Sequence, residues 1–300
     1  MTSRLRRKYT RSLKKRTFAV LAPVIRWLKE DEDLFGRSDV FYRNVAKTLD
    51  GTVTVIDPFE MARRALAILR PLRPYSVQGV AKIRLGSDGD GGYVCLDDFA
   101  NVRVAHSLGI GNNDTLDVEL ANKGIDVRQY DGTIKAAPST HPNLHFFREM
   151  IATEDSPGNR SMSSLIRETG GEATDLFLKI DIEGFEWPAF DATPIEEISK
   201  YRQIVTELHG FERLAETDQY EIMQRVLDKL NQAFFVCHVH ANNISGLSNY
   251  GSVVVPQTLE VTFANRALFT PVDDRRTFPT ELDHPCTIER PDITLGTFWY

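Results

Sequence analysis

Val102–Asp114 reads VRVAHSLGIGNND: an apolar run, two glycines one residue apart, then a polar stretch. Val102 to Leu108 has the composition of a buried strand, and Asp114 to Lys123 has helical spacing of its apolar residues. Gly109 and Gly111 fall at the turn between them. Glycine there admits backbone angles that a Cβ obstructs and lets a flat ligand lie close to the chain. The turn gains meaning from Asp131, which follows a second strand, Asp126 to Tyr130, and lies 22 residues after Gly109. A carboxylate at that strand end can accept hydrogen bonds from both hydroxyls of a ribose, so the pair predicts an adenosine-containing cofactor.

The same alternation continues outward. Leu144 to Phe147, Asp175 to Ile182, Gln203 to Leu208 and Phe234 to Val239 read as strands. Ser161 to Glu168, Pro194 to Lys200 and Asp218 to Leu230 read as helices between them. This order predicts an α/β fold with a doubly wound, Rossmann-like and mostly parallel sheet. Leu259 to Phe263 is a late strand expected to pair antiparallel at one side. Upstream, residues 37–75 read mainly as helix, and Lys82 to Asp97 as two short strands around a glycine-rich turn. The domain organisation predicted is a basic arm over 1–36, a catalytic domain over 37–268 and a tail over 269–300 packed on that domain.

Asp114 bears on the cofactor. In a GxGxxG fingerprint the third small residue lets a helix N-terminus hold a pyrophosphate, and Asp114 occupies that place. A carboxylate repels phosphate, which disfavours NAD(P). S-adenosylmethionine has no phosphate and carries a sulfonium cation, so an acidic rim suits it. As a purely structural residue, Asp114 is the natural N-cap of the helix it precedes.

A second cluster, LKIDIEGFEW over 178–187, begins as a buried strand and releases Asp181 and Glu183 at its carboxyl end, where open α/β sheets bind ligands. Gly184 lets the chain turn beside the ligand. The following strand ends in Glu207-Leu208-His209-Gly210 and delivers a carboxylate and an imidazole to the same edge.

With the helix SMSSLIRET before it and the strand end TELHG after it, LKIDIEGFEW resembles the FkbM-type S-adenosylmethionine-dependent methyltransferases. RLGSDGDGGYVCLDD and SLGIGNNDTLDVEL are similar to a methyltransferase-like branch related to that family, and the resemblance spans about residues 80–265. It implies a class I methyltransferase sheet and methyl transfer to an oxygen of a sugar, glycan or related small metabolite. Gly109 and Gly111 match the glycine turn, Asp131 the ribose-binding acid, and Asp181, Glu183 and Gly184 the motif after the strand. One departure stands out. Many class members carry an acid two residues before the first glycine, and this chain has Ser107, so the methionine amino group needs another partner.

Methyl transfer to an alcohol is an in-line displacement in which the acceptor also loses a proton. Histidine suits that proton removal, and His209 is the first candidate, with Asp181 and Glu207 beside it. His238 and His240 form a second group near another strand end, and with Asp90, Tyr93 and Glu183 they are candidates for the acceptor side. Tyr93 and Trp187 could stack on a flat acceptor or fill the core. Asp181, Glu183, Glu207 and His209 also offer donors for a divalent metal, which leaves metal dependence open. A noncatalytic cofactor-binding protein and an NAD(P)-dependent oxidoreductase are the competing readings.

Charge distribution narrows the partners. Ten of the 36 Lys and Arg residues fall in residues 1–29, which hold no acid, so the rest carries 26 basic against 42 acidic side chains. An acidic body is a poor match for nucleic acid, and no nucleic-acid partner is expected. The basic arm with Phe18, Trp27 and Leu28 has the composition of a segment that rests on an anionic membrane surface, so peripheral contact through residues 4–28 is one reading and a solvated tail the other. Its apolar stretch is too short and too interrupted to span a bilayer. Cys95, Cys237 and Cys286 lie far apart, which suggests neither a zinc site nor disulfides and suits a cytoplasmic location.

Overall fold

The computed structural model describes residues 57–169 and 176–298; the basic arm lies outside them. In chain order the elements are α1 (Pro58–Leu69), β1 (Tyr75–Val77), β2 (Lys82–Leu85), β3 (Tyr93–Leu96), β4 (Val104–Leu108), α2 (Thr115–Asn122), β5 (Asp126–Tyr130) and β6 (Leu144–Phe147). There follow β7 (Met150–Ala152), β8 (Asn159–Ser161), α3 (Met162–Glu168), β9 (Leu176–Ile180), α4 (Glu186–Ala192), α5 (Ile195–Ile198) and β10 (Tyr201–Leu208). The chain continues through α6 (Thr217–Ala233), β11 (Phe234–Ala241), β12 (Leu247–Tyr250), β13 (Val253–Pro256), β14 (Leu259–Asn265) and β15 (Pro271–Asp273).

Seven strands form the central sheet in the order β11-β14-β10-β9-β4-β5-β6. From β4 the chain winds outward through β5 and β6, then crosses back to β9 and winds the other way. All neighbours are parallel except β14, which is antiparallel to both β10 and β11. The late strand therefore does not lie at one side, as its sequence position suggested. It is inserted between β10 and β11, and all seven of its residues are buried.

The burial of the strands explains their composition. All five residues of β9 are buried, Lys179 included, as befits a central strand covered on both faces. On one face the β2–β3 hairpin and α2 contribute Leu85, Tyr93, Leu116 and Leu120 to a core with Ala105, Val127 and Phe177. α6 turns Met223, Val226, Leu227 and Leu230 inward at helical spacing. α4 is an element beyond those the sequence pattern predicts; its Pro188 sits in the first turn, where proline lacks only an N–H that would be unpaired anyway.

The tail carries more order than its composition predicts. Pro271–Asp273 pairs antiparallel with β1, and the Phe278 N–H donates to the Gly296 carbonyl at 2.7 Å. Among the described residues no helix is long and apolar enough to cross a membrane.

Candidate functional site

The switch in winding direction between β4 and β9 leaves a crevice at the carboxyl ends of those strands, the usual ligand position of such sheets. A cavity of about 680 Å³ occupies it, lined by the turn after β4, the start of α2, the end of β5 and the segment after β9. Gly109 adopts φ +79°, and a Cβ there would lie 1.7 Å from the Asp181 carbonyl oxygen. The sheet is closed so tightly at this point that only glycine fits. Gly111, at φ +57°, has open space around it and is needed for its backbone angle alone.

Asp131 fastens the turn. One carboxylate oxygen accepts from the N–H groups of Ile110 and Gly111, both at 2.9 Å, and the other from the Thr133 N–H at 2.7 Å and hydroxyl at 2.6 Å. Burial raises its pKa, and the bonds from Gly111, Thr133 and Ile110 outweigh that and hold it at about 2. Asp131 thus lines the cavity at the end of β5 but already has four donors. Ribose hydroxyls would have to share or replace them.

The cavity lining is acidic. Seven carboxylates contribute to it, and Lys179 is the one cation among the described lining residues. Asp114 is one of the seven and is buried, but its side chain makes no capping bond to α2. The Asn113 side-chain oxygen takes the Thr115 N–H at 3.1 Å instead. Asp114 accepts from the Ser139 N–H at 2.9 Å and hydroxyl at 2.7 Å, which pins the segment after β5 over the cavity. Its expected capping role is therefore filled by its neighbour.

At the far end of the cavity Asp181 joins it to a second polar cluster. Its Oδ2 accepts from the Tyr93 hydroxyl at 3.2 Å and lies 3.4 Å from Lys179 Nζ, which also donates to the Gly109 carbonyl. Glu183 takes φ +57° and Gly184 φ +95°, so the chain bends back sharply after the strand. The buried Glu186 stabilises that bend: its Oε1 accepts from the N–H groups of Ile182 at 2.8 Å and Gly184 at 3.3 Å. The same oxygen lies 3.1 Å from His209 Nδ1. His209 Nε2 faces Glu183 at 3.7 Å and Glu207 at 4.0 Å.

Burial lowers the His209 pKa, but the hydrogen bond and charge of Glu186, with Glu207 and Asp181, raise it to about 9. Glu207 moves the other way from a usual carboxylate: burial, then Asp181 and Glu260, push its pKa well up, against the pull of His209 and of the Asn242 amide that donates to it. The imidazole and the acids around it thus shift one another, with His209 held toward its protonated form by the carboxylates it faces. Asp181, Glu186 and His209 bring ligand atoms within 4.8 Å of one another, a donor set that fits a divalent cation. Glu186 Oε1 and His209 Nδ1 would first have to separate.

The remaining candidates are placed less openly. Asp90 lines the cavity, and burial together with the Asp181 charge raises its pKa. Tyr93 is buried, so its ring is not free to stack on an acceptor, and only its hydroxyl reaches the site. Trp187 is core: fully buried, edge-on to Phe211, with its indole N–H donating to the His209 carbonyl at 2.7 Å. His238 and His240 are taken by the tail and the sheet. His238 Nε2 lies 2.7 Å from Asp283, and His240 sits between Glu260 at 2.8 Å and Asp292 at 3.1 Å. Neither imidazole faces the cavity. Glu186 and Lys179, which the sequence pattern does not single out, join the site through the fold.

Comparison with known proteins gives the following. A sequence profile of the methyltransferase FkbM domain matches residues 81–235. The human probable methyltransferase-like protein 24 is 30% identical, with 40% of this chain and 39% of that protein matched, so the chain spans about two fifths of that relative's length. A putative hemolysin from Streptococcus thermophilus has a TM-score of 0.34 at 15% identity, covering 64% of this chain and 76% of that one. The precorrin-6y C5,15-methyltransferase from Geobacter metallireducens GS-15 has a TM-score of 0.29 at 11% identity, covering 55% and 83%.

Proposed function

The chain belongs to the FkbM methyltransferase family, and from that premise we propose that it transfers the methyl group of S-adenosylmethionine to a hydroxyl of a sugar, glycan or related small metabolite. The observation that carries the cofactor reading is the acidic lining of the cavity at the Gly109–Gly111 turn. A dinucleotide would bring two phosphate charges against Asp114 and its neighbours, whereas a sulfonium ligand brings a positive charge. Asp131 and the glycine turn would hold the adenosine end, leaving the methyl group toward Asp181.

The acceptor side would then be the Asp181–His209 cluster. Its carboxylates and imidazole suit a hydroxyl-rich ligand, and attack by the acceptor oxygen on the methyl carbon, with sulfur leaving, requires the two to be held in line. The acceptor proton would pass to His209. At pH 7 on the order of 1% of His209 is in the accepting form, given its pKa of about 9. Once deprotonated it is a stronger base than an ordinary imidazole. Glu186 would hold its Nδ1 and so aim Nε2 at the acceptor.

Incubation with methyl-labelled S-adenosylmethionine and a panel of sugars, glycans and other hydroxyl acceptors tests the reaction. Label transfer that His209→Ala lowers by about 10² to 10⁴ is the expected result. A chelator that abolished transfer, with Mg²⁺ or Mn²⁺ restoring it, would instead assign the cluster to a metal. Cofactor binding without transfer to any acceptor would favour a noncatalytic protein of the same fold.

A further inference from the structure

One buried carboxylate of the cavity wall is bonded by the neutral side-chain amide of Gln129, which also reaches Asp114 at 3.3 Å. Asp117, in the first turn of α2, is 2% exposed and lines the cavity, and it accepts from Gln129 Nε2 at 2.8 Å. Its neighbours are differently placed. Asp114 is held by Ser139, Asp131 by the glycine turn and Thr133, and Asp181 has Lys179 and Tyr93. Lys179 is near enough to lower the Asp117 pKa, but its ammonium is directed to the Gly109 carbonyl and to Asp181.

Burial raises the Asp117 pKa more than Gln129, Lys179 and the adjacent Ser107 hydroxyl lower it. A carboxylate buried without a cation is destabilising, and one kept at the wall of a ligand cavity gains its counter-charge when the ligand brings it. Position agrees with that. Asp117 stands beside Ser107, the residue two before Gly109, where the sequence lacks the acid that a methionine amino group would meet. The carboxylate reaches the same place from helix α2 that an acid at position 107 would reach from strand β4.

We propose that Asp117 binds the α-ammonium group of the methionine end of S-adenosylmethionine, replacing on α2 the acid absent from β4. The inference rests on the cofactor reading above. It makes Asp117 a binding residue with no part in proton removal, and it separates the two ends of the ligand: Asp131 and the glycine turn take the nucleoside, Asp117 the amino acid.

Calorimetry with three ligands tests it: S-adenosylhomocysteine, its analogue lacking the amino group, and 5′-methylthioadenosine, which lacks the whole amino-acid end. The parent protein should prefer S-adenosylhomocysteine to the deaminated analogue by about 10- to 100-fold, the range for a hydrogen bond to a charged group. Asp117→Asn should lose that preference while binding 5′-methylthioadenosine as the parent does. An unchanged preference in Asp117→Asn, or equal weakening of all three ligands, overturns the assignment. If Asp117→Asn does not fold, the double variant Ser107→Asp with Asp117→Ser decides: it should retain the preference, and losing it overturns the proposal. A parent protein that binds none of the three overturns the cofactor reading and this inference with it. Binding of the nucleoside with no preference for the amino group overturns this inference alone.

Discussion

A methyl group on Gly109 would meet the Asp181 carbonyl oxygen at 1.7 Å, so Gly109→Ala must push β4 and β9 apart at the cavity. Gly109→Ala is expected to abolish S-adenosylhomocysteine binding, and calorimetry on the folded variant checks it. Asp131→Ala should weaken the same ligand by roughly 1 to 3 kcal/mol, the range for leaving hydrogen-bonding groups unpaired. Part of that loss would come through the loosened turn, since Asp131 binds Ile110 and Gly111 as well. His209 makes a prediction with a sign. Its pKa is raised to about 9, so it carries a proton through neutral pH, and kcat/KM should climb with pH until about 9. Glu186→Gln removes the nearest negative charge, lowers that pKa and moves the climb toward pH 6.5. A profile flat from pH 6 to 9 in the parent would remove His209 as the base. Gly109, Asp131, Asp181 and His209 were legible because each stands at a strand end that the hydrophobic pattern marks. Glu186, Lys179 and Asp117 were not: their roles arise from Gln129, Gly184 and Gly109, which only the fold brings to them.

Among the elements, the sheet was read closely where strands are long and apolar. Asp126–Tyr130 and Leu144–Phe147 coincide with β5 and β6. The place of β14 was not legible, because a buried strand has the same pattern at an edge or between two partners, and only its pairing with both β10 and β11 decides. The order of the tail was not legible in its proline-rich and aromatic composition, because it comes from single polar contacts to β11 and the residues after it. Asn243 shows this, donating to the Thr287 carbonyl at 2.8 Å and accepting from the Thr287 N–H at 2.9 Å. His240 ties tail docking to pH. Burial opposes its protonation, but Glu260, Asp283 and Asp292 raise its pKa from 6.5 to about 9. A raised folded-state pKa stabilises fully below about pH 6.5, and that contribution is lost as pH rises through 9. Hydrogen exchange over residues 278–298, corrected for intrinsic rate, should therefore quicken between pH 6.5 and 9.5, and less so in Asp292→Asn. Equal protection at both values, in a tail that stays docked, would contradict the role given to His240.

For the whole molecule, charge organises the account. We propose that the basic segment over residues 4–28 contacts anionic membrane surfaces while the acidic body holds the cavity. Deleting residues 1–29 should then reduce sedimentation with vesicles of anionic lipid, and the difference should shrink with salt, since the Debye length is about 8 Å at physiological ionic strength. Equal sedimentation of both forms would end that reading. Inside the body, the proposed cofactor would be selected by the sign of its charge against the acidic cavity. The most direct test is calorimetry of the full chain with S-adenosylmethionine and with NAD under identical conditions. S-adenosylmethionine should bind at micromolar or tighter Kd and NAD should not bind. Binding of NAD with no heat from S-adenosylmethionine would contradict the cofactor reading.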